Sequence, residues 1–331
     1  EEARRLIRAE ERAQQPRPRL VGLGDFLARP MTDPTYRIDE VWPTGGRVVL
    51  SAQFKAGKTT VVGNVLRALA DGTDLFDRFP VRPGANIVLI DDELDDRHLQ
   101  RWLTDQQIAN QAAVRVVSLR GQLTTFDIRD PELRAEWAAD ITGADVVVLD
   151  CLRPILDALG LDENHEVGRF LGPFDALLHE AGASEALVLH HMGHAGERSR
   201  GDSRIQDWPD ALWTLVRDKS EDNADIDDVA GSRYFSAFGR DVHVPQAELT
   251  YDPTARRLTL GAAALTRRES TAVRRAAKAE EAVLAAITQH PGVNVSKLRH
   301  DVRTFHGVGR NSDIDEAADR LSVIEFNPRL A

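Results

Sequence analysis

Apolar residues recur along the 331-residue chain in two rhythms. Short runs rich in apolar residues at 47–50, 85–90, 144–149 and 184–189 are too brief for helices and predict strands buried on both faces. Between them lie stretches with apolar positions three and four apart, which predict helices. These cover 61–70, 97 onward with Leu99, Trp102 and Leu103 on one side, 131–141, and 167–181 with Phe170, Phe174, Leu177 and Leu178 inward. A further short strand is expected at 114–119. Strands alternating with helices predict a mostly parallel sheet in an α/β fold. Segments 211–217, 233–238, 242–244 and 257–260 read as strands with a turn at 251–254, an antiparallel extension of that sheet. Residues 218–229 are acidic and poor in large apolar side chains, as expected of a flexible loop.

The two ends read differently. Residues 1–15 are charged, with Leu6 and Ile7 as the only large apolar pair, and predict a short helix broken at 15–18; a helical turn follows at 25–29. After residue 262 the chain turns rich in Ala and Arg. Helices are expected over 262–289 and 295–305, and in a segment capped by Ser312 with Ile314, Ala317, Ala318 and Leu321 inward; a short strand follows at 321–326. Three helices and a strand resemble a winged helix. The expected organisation is an arm and lead-in at 1–44, a central domain at 45–261 and a winged-helix-like domain at 262–331.

Composition narrows the classes. An apolar fraction of 42% supports an ordinary core. A net charge of −11 argues against a surface coated for nucleic acid but leaves room for a local basic channel. Cys151 is the single cysteine, so no disulfide forms within the chain. No apolar run approaches 18 residues and no signal peptide is visible, so the expected location is cytoplasmic, with no membrane partner.

The chemistry concentrates where the runs end. After the first run comes Ser51, Ala52, Gln53, Phe54, Lys55, Ala56, Gly57, Lys58, Thr59, Thr60, then a helix. Strand, glycine turn, Lys-Thr and helix form a phosphate-binding loop. Its backbone N–H groups and the helix N-terminus face a polyphosphate, Lys58 reaches the outer phosphates, and Thr59 joins a Mg²⁺ shell. Ala52 replaces the first glycine of the motif. Tyr36, just before the loop strand, either covers an adenine ring or packs as a lid on the sheet edge. The second run ends in Asp91, Asp92 and Glu93; Glu93 is placed to polarise an attacking water. The third ends in Asp150, a Mg²⁺-associated carboxylate. The fourth ends in His190 and His191, which face opposite ways in a strand; His191 is the expected phosphate sensor. A zinc site drawing on His190, His191 and His194 with Cys151 or Asp150 is the weaker reading. Arg198, Arg200 and Arg204 follow in a glycine-containing loop, able to meet DNA phosphates or a neighbouring subunit's nucleotide. Arg153, and Arg299 and Arg303 on the second C-terminal helix, are further DNA or interface candidates.

With these stretches in place, residues 47–260 resemble a RecA-type ATPase, nearest to the RepA-like hexameric replicative helicases of plasmids and related ATPases of phages and actinobacterial mobile elements. The loop Phe54-Lys55-Ala56-Gly57-Lys58-Thr59, Glu93, Asp150, the paired His190 and His191, and Arg200-Gly201-Asp202-Ser203 match that family's motifs. His194 stands where the family often has lysine. The resemblance implies ATP and Mg²⁺ as cofactors, Glu93 as water activator, and Arg200 offered to the next subunit's nucleotide. It further implies a homo-oligomer, as a hexameric ring, acting on single-stranded DNA. A primase or other replication protein, upstream or separate, is a further expected partner. Two other functions share this core: a recombinase-like or regulatory DNA-binding ATPase without unwinding, and a non-enzymatic nucleotide-switched initiator or docking protein.

Overall fold

The computed structural model describes residues 19–30, 33–192, 204–217, 232–260 and 265–325. The chain divides into two units between Pro34 and Thr35. In the first unit, helix α1 (Leu23–Leu27) covers the turn expected at 25–29 and leaves Leu23, Phe26 and Leu27 exposed. The helix predicted at 1–15 and the acidic loop at 218–229 lie outside the described residues.

In chain order the second unit begins with a two-stranded ribbon, β1 (Tyr36–Ile38) and β2 (Trp42–Pro43). Then follow β3 (Arg47–Ala52), α2 (Lys58–Asp71), β4 (Ile87–Asp91), α3 (Asp96–Asp105), β5 (Val114–Ser118), α4 (Pro131–Ile141), β6 (Val146–Asp150), α5 (Leu152–Ala158), α6 (Gly168–Ala181) and β7 (Glu185–His191). The chain continues with the turn α7 (Arg204–Asp207), β8 (Ala211–Arg217), β9 (Arg233–Gly239), β10 (His243–Asp252), β11 (Arg257–Leu260), α8 (Arg267–Gln289), α9 (Val295–His306) and α10 (Asn311–Glu325). Nine strands form one sheet in the order β11-β10-β9-β8-β3-β7-β6-β4-β5. From β5 across to β8 every pairing is parallel; from β8 to β11 every pairing is antiparallel. This is the α/β architecture that the alternating pattern predicts.

Local chemistry sets the boundaries. Asp95 caps α3 by accepting from His98 N at 2.9 Å, and Asp130 caps α4, whose first residue Pro131 has no N–H to satisfy. The parallel strands are apolar on both faces because helices cover both. Val48, Leu50, Val146, Val148, Leu187 and Leu189 pack with Val61, Val65 and Leu69 of α2, while Val49, Val147 and Val188 pack with Phe170, Phe174 and Leu177 of α6.

Three expectations are corrected. β10 runs ten residues, far beyond the short strand expected at 242–244, because after a register shift between Val244 and Ala247 the buried alternation resumes with Ala247 and Leu249. Helix α5 has no counterpart in the sequence reading; Pro154 stands at its third position, where a missing N–H has no partner to lose. Ser312 lies inside α10 rather than capping it, and that helix continues through 321–325 where a strand was expected. The three- and four-residue spacing outweighs the β-branched pair Val323-Ile324. Among the described residues no strand follows α9. Helices α8, α9 and α10 enclose their own cluster of Ala282, Val283, Leu298, Val302 and Ile314.

Candidate nucleotide site

Parallel strands bring their last residues to one edge. Ala52 pairs with His191 and Leu215, and Asp91 pairs with Asp150. Strand parity then decides which side each faces. Ala52, Asp91, Asp150 and His191 follow the positions that pack on α2, whereas His190 follows those packing on α6.

The loop between β3 and α2 is pinned from the side. Gln53 N donates to Leu215 O at 3.2 Å, its Oε1 accepts from Arg217 N at 2.9 Å, and Arg233 Nε donates to Ala56 O at 3.1 Å. Gly57 has φ 101°, a conformation costly for any other residue, and immediately precedes α2. Lys55 holds a left-handed φ of 58°. Ala52, in place of the motif's first glycine, is the buried last residue of β3 and needs no positive φ. Phe54 projects into solvent from the loop, with Lys55 Nζ 5.8 Å from its ring centre. Thr59 and the buried Thr60 begin α2 beside Lys58.

Three charged groups converge at the loop. Lys58 Nζ is 2.7 Å from His191 Nε2, and the same Nε2 is 3.2 Å from Glu93 Oε1. One ring nitrogen cannot accept from the ammonium and donate to the carboxylate together, so a bare Nε2 serves Lys58 and an Nε2 that carries a hydrogen serves Glu93. The hydrogen bond from His191, with Lys58 nearby, outweighs burial and holds the Glu93 carboxyl down to about 2. Cys151 Sγ also lies 3.3 Å from Glu93 Oε1.

Behind them burial dominates. It lifts Asp91 to about 6 and Asp92 to about 7, and raises Asp150 well above the carboxylate range. Asp150 Oδ1 is buried without a hydrogen-bond partner. Asp150, Asp91 and Thr59 line one narrow cavity between β6, β4 and α2. An orphaned carboxylate oxygen beside a threonine hydroxyl fits a hard divalent cation such as Mg²⁺. Among the described residues, Glu93, Cys151 and His191 also bring ligand atoms within 4.8 Å of one another. Burial pushes the Cys151 thiol far up, and the Lys58 ammonium abuts His191 at 2.7 Å.

The other sequence candidates separate. Tyr36 is corrected: its hydroxyl donates to Asp241 O at 2.8 Å, in the β9–β10 turn. That turn adjoins Gly239, which pairs with Ala211 and through it with Val48, at the opposite end of β3 from the loop. Tyr36 therefore packs at the far edge and does not cover a base. The aromatic at the loop edge is Tyr251, two residues beyond the Leu249–Arg233 pair, with the Arg233 guanidinium 4.9 Å from its ring centre. Sequence reading missed Tyr251 and Arg233 because only strand direction reveals their edge. Arg153 is engaged by Asp157 at 2.8 Å and the buried Glu163 at 2.5 Å; Glu163 lies 3.7 Å from the buried His190. Arg299 closes on Asp315 through two bonds, at 2.7 and 2.6 Å, and Arg303 donates to Arg299 O. Arg153 and Arg299 thus each hold acidic partners within the chain. Arg204 packs so tightly on Gly168 that a side-chain carbon there would overlap its guanidinium. His194, Arg198, Arg200 and the rest of 193–203 lie outside the described residues.

A glycine loop between a buried parallel strand and a helix, carrying Lys58-Thr59 with Glu93 and Asp150 opposite, defines a P-loop nucleotide-binding protein. The sequence profile of the AAA domain matches residues 10–197, more than half of the chain, and the chain belongs to that family of P-loop ATPases. No curated relative matches the sequence. Among solved structures, a KaiC-like protein of the hyperthermophilic archaeon Pyrococcus horikoshii OT3 aligns with a TM-score of 0.46 at 18% identity, covering 68% of this chain and 93% of that one.

Proposed function

We propose that this chain is a Mg²⁺-dependent ATPase with a RecA-like core. In this reading it works as a homo-oligomeric ring that translocates on or unwinds DNA during replication of a plasmid, phage or mobile element. The observation that carries the hydrolytic part is the meeting of Lys58, His191 and Glu93 at the end of β3 and β7. Lys58 binds the outer phosphates and stabilises the charge that develops on them. Glu93 orients the attacking water. Held down to about 2 it is a weak base, and its basicity rises when Lys58 and His191 turn to the γ-phosphate. Thr59 and Asp150 would hold the cation, which offsets phosphate charge when bound. Tyr251, with Arg233 beside it, offers the adenine a flat face at the loop edge.

The DNA-directed part is supported by the order of motifs along the chain, from the loop through Glu93, Asp150 and His191 to the Arg200 segment. Phosphate release tests the first part. Lys58→Ala should lose nucleotide binding and turnover, while Glu93→Gln should keep binding and lose at least ~100-fold in turnover. Wild-type turnover in Glu93→Gln would remove Glu93 from its role. Strand separation on a forked duplex tests the second part: hydrolysis without unwinding selects a recombinase-like or regulatory ATPase.

A further inference from the structure

The C-terminal helices differ in charge from the rest of the chain. Residues 265–325 hold ten Lys and Arg against nine Asp and Glu, in a chain of net −11, so this part does not repel a polyanion. The arginines are also concentrated. An open groove lies between the first turns of α8, strand β10 and the residue before α10. Its lining includes Arg267, Arg268, Thr271 and Arg275 from α8, Gln246 from β10, and Arg310. Among the described residues no carboxylate lines it.

The rotation of α8 is fixed from its other side. Ser270 Oγ donates to Glu248 Oε2 at 2.5 Å and Arg274 Nη2 donates to Tyr234 Oη at 2.8 Å, both toward the sheet. Positions 267, 268, 271 and 275 are left on the groove side. Two nearby acids are engaged. Glu269 is folded back on Thr266 in a capping box, and Asp313 pairs with Arg275 at 2.9 Å. Arg268 and Arg310 are exposed, and Arg267 is half-buried. Arg299 and Arg303 do not line this groove.

We propose that this groove binds the phosphate backbone of nucleic acid, through Arg268 and Arg310. Guanidinium forks match phosphate oxygens, and Gln246 and Thr271 add neutral hydrogen-bonding groups. Among the described residues no aromatic side chain lines the groove to stack on bases, and the ligand it fits best is a duplex held without base reading. The site is separate from the nucleotide loop and rests on charge and shape alone.

The test is fluorescence anisotropy of the full chain, without nucleotide, against a labelled 20-base-pair duplex, a labelled oligothymidylate and labelled polyglutamate, over a salt series. Arg268→Glu combined with Arg310→Glu should weaken duplex binding by about tenfold or more and reduce the salt slope by about 1.8, since each phosphate contact contributes about 0.9. Arg82→Glu, an exposed reversal outside the groove, should leave affinity unchanged. Thermal melting checks that each variant is folded. Unchanged duplex affinity and slope in the double variant, or no duplex binding by wild type at low salt, would overturn the proposal. A loss confined to polyglutamate would reassign the groove to an acidic protein partner and equally overturn it. Because nucleotide is absent, these outcomes are distinct from failure of the ATPase reading, which phosphate release decides.

Discussion

His191 is one residue with two obligations. Its Nε2 faces both the Lys58 ammonium and the Glu93 carboxylate, so whether that nitrogen carries the hydrogen selects which contact is made. The Glu93 carboxyl is depressed mainly by this histidine. A group depressed on folding contributes stability above its unfolded pKa and loses that contribution as pH falls toward the folded value. The window here lies from about 4.5 down to about 2. His191→Ala removes the main cause, so the gap in thermal midpoint between wild type and variant should narrow as pH is lowered from 5 to 3. A gap that stays constant over that range would mean that His191 does not hold Glu93. At this scale much was legible in the sequence. Alternation along β7 separates His191 from His190, and the acids at strand ends fall at one edge. Arg299 shows what was not legible. Its charge was visible, but its closure on Asp315 depends on two helices meeting 16 residues apart in sequence.

Between elements, small polar side chains carry junctions that hydrophobic pattern does not show. Asn64, 2% exposed on α2, donates to Arg256 O at 2.9 Å and accepts from Leu258 N at 2.8 Å, stitching the loop-bearing helix to β11. It also donates to Thr60 O and Gln106 Oε1. Truncation leaves buried backbone groups without partners, at roughly 1–3 kcal/mol for such a group. Asn64→Ala should therefore lower stability by about 2 kcal/mol in denaturant titration, and Asn64→Asp by more, since a carboxylate cannot donate to Arg256 O. An unchanged midpoint in Asn64→Ala would show that β11 is not held by this bridge. Two elements were readable to the residue: α4 from Pro131 at its start, and β8 from the alternation of buried Ala211, Trp213 and Leu215. Tyr36 and Tyr251 were not told apart. Both sit beside polar turns in sequence, and only the antiparallel return of β9 and β10 places one at each edge.

At the scale of the whole molecule, the site within one chain lacks a described cation opposite Lys58. Arg153 is held by Asp157 and Glu163, and Arg204 packs on Gly168. The proposed ring places Arg200 of a neighbouring chain there, where a planar guanidinium can bridge two phosphate oxygens. Turnover per chain should then rise with protein concentration as oligomers form, and Arg200→Ala should bind nucleotide yet lose ~10³-fold in turnover. Mixing separates action within a chain from action across an interface. Arg200→Ala and Lys58→Ala are each inactive alone, but a mixed oligomer contains interfaces with an intact Lys58 site facing an intact Arg200. Partial turnover on mixing, tracked against oligomer mass with ATP and Mg²⁺ present, is the expected result. A monomer with full turnover at every concentration would place the charge-stabilising group inside the chain and end the assembly model, while leaving Lys58, Glu93 and Asp150 in their roles.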